Sequence, residues 1–256
     1  MSNEKIHTEL LVKEYGKKRV VNGVSIEVCR GEIISLLGPN GAGKTTTFKM
    51  MVGFVAPTEG KVFINGEEMT QLPIHARARR GIAYLAQEPS IFRKLSVQDN
   101  LRAILQAIGL PVAEQKERVE KALEDLRISH LRKQVASSLS GGEKRRVEVA
   151  RCLATNPKFI FLDEPFAQID PKTVEDIQEI VLELKQRNLG VLITDHSLRE
   201  TLSITDRAYM IIEGEVIASG TMAEVTQNEA IRERYFSKSV TRDLDIEVAT
   251  RTQGKD

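Results

Sequence analysis

Cysteine is scarce: Cys29 and Cys152 are the only two and lie far apart in sequence. This excludes a disulfide framework or a cysteine-rich zinc site and suits a reducing compartment. Neither sign of charge is in excess, with 37 Lys and Arg against 36 Asp and Glu and a net charge of +1. No global field therefore favours nucleic acid or an anionic membrane, and any polyanion must be met locally. Glycine and proline, 17 and 8 of 256 residues, are too few for a collagen-like or low-complexity chain. No apolar run approaches the roughly 18 residues that cross a bilayer, and the opening MSNEKIHTEL has no apolar h-region of a secretory signal. Work at a membrane would need a partner. What is present, 41% hydrophobic and 29% charged residues, suffices for one large core or a core with a small lobe.

Strand and helix patterns alternate. Val20 to Val28 and Glu32 to Leu37 read as strands, the second running into GPNGAGKTT and a helix over Thr45 to Gly53. KVFING and GIAYLAQ read as short strands either side of the charged HARARR. From Leu95 to Leu139 the segments SVQDNLRAILQAIG and AEQKERVEKALEDL are helical, broken by Gly109 and Pro111, so an inserted helical lobe is expected at about residues 92–155. KFIFLDEP is a buried strand ending in acids. Asp170 and Pro171 then open a helix with Val174, Ile177, Val181 and Leu184 on one face. GVLITDH is a further strand, and RAYMIIEGEVIASG a hairpin turning at Glu213 and Gly214. The expected fold is α/β, a mostly parallel sheet covered by helices, in one domain over residues 1–240 with a loosely attached tail at 241–256.

The chemistry sits at strand ends. Gly38, Pro39, Asn40, Gly41, Ala42, Gly43, Lys44 and Thr45 fit GxxxxGK[ST] between an apolar strand and a helix. Small residues let the backbone curl so that N–H groups and the helix N-terminus point at phosphates, while Lys44 reaches the β and γ phosphates and Thr45 can ligate Mg²⁺. Asp163, at the end of FIFLD, is the expected metal contact, and Glu164 the general base toward water. Alternation along an extended segment would keep their side chains apart. His196, ending ITDH, can donate to the γ phosphate, whereas His7, His75 and His130 read as surface residues. Gln87 can sense metal or water. Ser140, Gly141 and Gly142 open a helix displaying Lys144, Arg145, Arg146 and Arg151, the composition of a second anion site. One ATP does not need two such cradles, which suggests nucleotide shared between two chains. HARARR reads as a solvated face or a partner contact.

This set, GPNGAGKT, Gln87, LSGGE, FIFLDE, Asp170 and His196 in that order, resembles the ATP-binding cassette ATPases over about Leu10 to Tyr235. The resemblance implies a RecA-like P-loop NTPase core with an antiparallel β lobe and a helical lobe. It implies ATP and Mg²⁺ as cofactors, Tyr15 stacking on adenine, and Thr46 beside Thr45 at the phosphates. It also implies a head-to-tail homodimer in which the partner's signature serine and glycines close over ATP. LPIHARARRGIAYLAQEPSIFRKLSVQDNL, SLSGGEKRRVEVAR and GVLITDHSLRETL are most similar to the lipopolysaccharide-export branch. That branch implies two transmembrane permease subunits, a bitopic component leading to a periplasmic bridge, and a place on the cytoplasmic face of the inner membrane. Phe92, with Ser90 to Lys94, would line the groove that couples to the permeases. Glu143 stands where many cassettes have glutamine, though the export branch typically carries an acid too, and a solvated carboxylate there should not repel the γ phosphate if it points outward. Ala167-Gln168-Ile169 before Asp170 also departs from the branch's usual pattern. An importer cassette, for instance for branched amino acids, would share the chemistry. A nucleic-acid-associated ATPase would call for a basic track, coiled coil or fused cassettes not seen here.

Overall fold

The computed structural model describes residues 4–166, 169–195, 198–228 and 231. The tail read as loosely attached lies outside them. Two sheets organise the chain. The central one has the order β11 (Glu215–Thr221), β10 (Arg207–Ile212), β4 (Ile33–Leu37), β9 (Gly190–Thr194), β8 (Phe159–Asp163), β7 (Ile82–Leu85). The five strands from β10 to β7 run parallel, and β11 closes the edge antiparallel. Every residue of β4, β8 and β9 is buried, as a sheet covered on both faces requires. The second sheet is antiparallel, with order β2 (Lys18–Val24), β1 (Lys5–Tyr15), β5 (Glu59–Ile64), β6 (Glu67–Glu68), and β3 (Glu27–Cys29) also pairing with β1.

Alternation along β8 divides the core. Phe159 and Phe161 face α1 (Lys44–Val52) and the antiparallel sheet. Ile160 and Leu162 face α5 (Gly141–Ala154) and α6 (Pro171–Gln186), in a cluster that also takes in α3 (Val97–Ala107) and α4 (Val112–Asp125). Phe161 is fully buried and meets Phe48 of α1 edge-on at 5.2 Å, so truncating it to alanine would cost about 3–5 kcal/mol. This packing fixes α1 against the end of β8, and thereby the glycine-rich loop against the acids.

Several elements differ from the sequence expectation. The strand expected over Val20 to Val28 is two strands, and β1 and β6 were not anticipated. HARARR lies in a short helix, α2 (Ile74–Arg79), and is not simply a solvated face: Arg77 is 1% exposed. Its guanidinium donates to the carbonyls of Leu72, Met50, Met51 and Thr70 at 2.6–2.9 Å, capping the C-terminal carbonyls of α1. Burial lowers its pKa to about 10, and it remains charged at neutral pH. His7 is not a plain surface residue either; its ring stacks on Phe63 at 5.0 Å. The hairpin β10–β11 turns as expected, with Glu213 at φ 51° and Gly214 at φ 84°, the two left-handed residues that a tight hairpin demands.

Candidate nucleotide site

The loop between β4 and α1 is shaped by its glycines for two reasons. Gly38 (φ 149°) passes so close to the carbonyl of Ile211 that a Cβ would overlap it. Gly43 (φ 104°) caps α1 in the left-handed region, where a Cβ would stand 2.6 Å from the carbonyl oxygen of Val20. At Gly41 (φ 80°) a Cβ would meet nothing within 4 Å, so its demand is one of conformation alone. Lys44 opens α1 with a buried side chain whose ammonium donates to the carbonyls of Gly38 (2.7 Å) and Pro39 (3.0 Å). Burial lowers the Lys44 pKa, and the carboxylates of Glu164, Asp195 and Asp163 oppose that shift. Thr45 and Thr46 follow in the first turn, both half-buried.

Asp163 and Glu164 do end β8 beside the loop, but alternation is not what separates them. The strand stops at Asp163, and Glu164 takes φ 43°, a left-handed conformation that turns the chain. Its N–H donates to Thr194 O at 2.7 Å. Gln87, just past β7, donates from Nε2 to Glu164 Oε2 at 2.9 Å, so the glutamine expected to sense metal or water engages the expected base. Asp163 is buried; Oδ1 accepts from the Thr194 hydroxyl at 2.8 Å and Oδ2 from the Tyr84 hydroxyl at 3.2 Å. Asp195, also buried, accepts from Phe166 N–H at 3.0 Å. Tyr84, Thr194 and Asp195 escaped the sequence reading. Their one signal was position at or near the ends of strands flanking β8. His196, Ala167 and Gln168 lie outside the described residues.

The Ser140 end of α5 differs from its expectation in two respects. Glu143 does not point outward: it folds back to accept from Ser140 N–H (2.7 Å) and Oγ (2.8 Å), while Ser140 Oγ accepts from Glu143 N–H at 3.3 Å, a closed capping box. These hydrogen bonds, backbone first, lower the Glu143 pKa. Of the four basic residues expected to be displayed, three are engaged elsewhere. Arg145 donates to Ala86 O (3.0 Å), Arg146 pairs with Asp176 (3.0 Å) and Arg151 donates to Ser90 O (2.6 Å). Glu148 accepts from Ser90 N–H at 2.6 Å. Helix α5 thus straps down the segment carrying Gln87.

Next to that strap lies a cavity of about 190 Å³ lined by Ile74, Tyr84, Ser90, Ile104 and Arg151, among others. Phe92 is not in its lining. It is 44% exposed beside it, with the Arg151 guanidinium 4.8 Å above its ring. Tyr15, at the end of β1, is 53% exposed with Lys13 Nζ 5.3 Å from its ring centre.

The arrangement can hold a polyphosphate on the loop and α1, with an acid pair facing it. The metal test is one of donor chemistry. Among the described residues no three His, Cys, Asp or Glu side chains cluster as a metal cage. The donors expected from the sequence, Asp163 and the Thr45 hydroxyl, are hard oxygens of the kind Mg²⁺ takes, few enough that water and phosphate would supply the rest. That set fits.

The profile of the ABC transporter family matches residues 21–167. The chain is 54% identical over 229 residues, 89% of its length and 95% of the relative's, to the lipopolysaccharide export system ATP-binding protein LptB of Escherichia coli. It is 51% identical over 231 residues, 90% and 96%, to the protein of the same name from Haemophilus influenzae. Among solved structures, an ATP-binding cassette of an ABC transporter in its ADP conformation superposes with a TM-score of 0.83 at 33% identity, covering 92% of this chain and 99% of that one. A nucleotide-free cassette gives 0.78 at 33% identity, covering 93% and 97%. Because the family profile spans more than half of the sequence and half-identical relatives span nearly all of it, this chain belongs to the ABC transporter family, as an ATP-hydrolysing subunit.

Proposed function

We propose that the chain powers a lipopolysaccharide exporter as its ATPase subunit, working as a homodimer under two transmembrane permease subunits and a bitopic bridge component at the cytoplasmic face of the inner membrane. Support for the cargo comes from the lipopolysaccharide-export relatives, matched over at least 95% of their length. The observation that carries the chemistry is the convergence of the Asp163 and Glu164 carboxylates on Lys44 where β4 and β8 end on either side of β9. Among the described residues no helix is long and apolar enough to cross a membrane, so force must pass through partners.

In this reading Tyr15 stacks on adenine, and the backbone N–H groups of residues 40–46 with Lys44 hold the β and γ phosphates. Thr45 and Asp163 would hold Mg²⁺, which supplies charge neutralisation at the phosphoryl oxygens when bound. Glu164 takes the proton of the attacking water, and Gln87, hydrogen-bonded to it, sets its orientation. His196 donates to the γ phosphate. Ser140, Gly141 and Gly142 of a second copy complete the site. Little covalent work falls to the protein; positioning and charge carry the rate. The test is reconstitution: proteoliposomes holding the permease pair and this chain should release lipopolysaccharide to a soluble bridge acceptor only with ATP. Lys44→Ala should abolish both release and turnover. ATP turnover without lipopolysaccharide release would remove the exporter reading.

A further inference from the structure

Asp163 is 4% exposed, and both its oxygens are held by hydroxyls from neighbouring strands. The register sets this up. Asp163 lies opposite Thr194 on β9, while Tyr84 on β7 lies opposite Phe161, two residues earlier on the same face of β8. A serine or threonine at position 84 would be too short to reach; a tyrosine spans the diagonal. The Tyr84 ring has little room to move: it tilts against Phe48 (5.8 Å, 60°) and stands edge-on to Phe54 (5.0 Å, 71°). The same ring forms part of the wall of the 190 Å³ cavity that Arg151 and Ser90 also line.

We propose that Tyr84 is a positioning residue for the divalent cation. By donating to Asp163 Oδ2 it fixes the plane of that carboxylate. This rests on reading Asp163 as the cation's carboxylate. Removing an outer-shell partner of a metal ligand typically weakens metal affinity by about 10–100-fold.

The experiment uses the full chain and a non-hydrolysable ATP analogue, comparing its Kd in EDTA with its Kd in Mg²⁺. Tyr84→Phe keeps the ring and should lower the affinity gain from Mg²⁺ about tenfold, leaving the Kd in EDTA unchanged. Thr194→Val should act in the same direction. A Y84F gain equal to wild type overturns the proposal. Asp163→Asn separates the two levels. If D163N keeps the wild-type gain, the metal-site reading fails; if D163N loses it while Y84F does not, only the role of Tyr84 fails.

Discussion

A glutamate in the left-handed region is costly, of order 1–3 kcal/mol, and Glu164 adopts it at φ 43° immediately after a strand buried along its whole length. The turn lets Asp163 point back between Tyr84 and Thr194 while Glu164 reaches Gln87. Glu164→Gln preserves shape and removes the proposed base, so kcat should fall by about 10²–10⁴ with the affinity for ATP retained; single-turnover kinetics beside equilibrium binding measure both. The loop glycines, Lys44 and the acid pair were legible because each marks the end of an apolar strand. The pairing of Gln87 with Glu164 was not, since it depends on how far β7 and β8 extend past one another, and local sequence does not encode that. Nor could spacing reveal that Arg145 and Arg151 turn toward Ala86 and Ser90 and away from the helix end.

At the scale of elements, β1 stayed hidden because its alternation breaks. Ile6 and Thr8 point inward, then Leu10 (φ 46°, 67% exposed) forms an irregularity after which Leu11 and Val12 are both buried, and the register to β5 shifts between Glu9 and Val12. Helix α2 stayed hidden because an arginine provides its buried anchor. Arg77→Ala would leave four carbonyls without their donor, each unsatisfied buried acceptor costing about 1–3 kcal/mol before relaxation. Arg77→Lys should rescue little, because an ammonium lacks the planar fork. Thermal denaturation should show Tm falling by about 10 °C for the alanine variant, while ATP turnover per folded molecule stays near normal at low temperature. The capping box of α5 predicts a pH dependence. Its hydrogen bonds hold the Glu143 pKa below the ordinary 4.5, so this contribution is full above pH about 4.5 and fades as pH falls through the lowered value. Glu143→Ala should lose about 0.3–1.5 kcal/mol at pH 7, and urea titrations should find the gap from wild type closing as pH falls below 4.5.

For the whole molecule, the central question is what covers the phosphates. One chain carries two helix starts led by glycines, at the loop before α1 and at the start of α5. The second borders α6, where a Cβ on Gly142 would find Thr173 at 3.6 Å as its nearest neighbour. The head-to-tail homodimer expected from the family would bring the second helix start of one copy to the first of another. Gly141 offers a clean test because the monomer has no use for its being glycine. It sits in the first turn of α5 without a left-handed φ, and a Cβ there meets nothing within 4 Å. An aspartate at that point favours the helix N-terminus electrostatically, so Gly141→Asp should fold with an unchanged or slightly raised Tm and bind ATP at Lys44 as the parent does. Set against the γ phosphate of a facing copy, the same carboxylate meets like charge in a desolvated gap. With Glu164→Gln to block hydrolysis, light scattering should find ATP driving the parent to a dimer and leaving the G141D double variant monomeric. A double variant that dimerised as readily as E164Q alone would place the α5 end outside the nucleotide interface and return the second anion site to an ordinary serine cap.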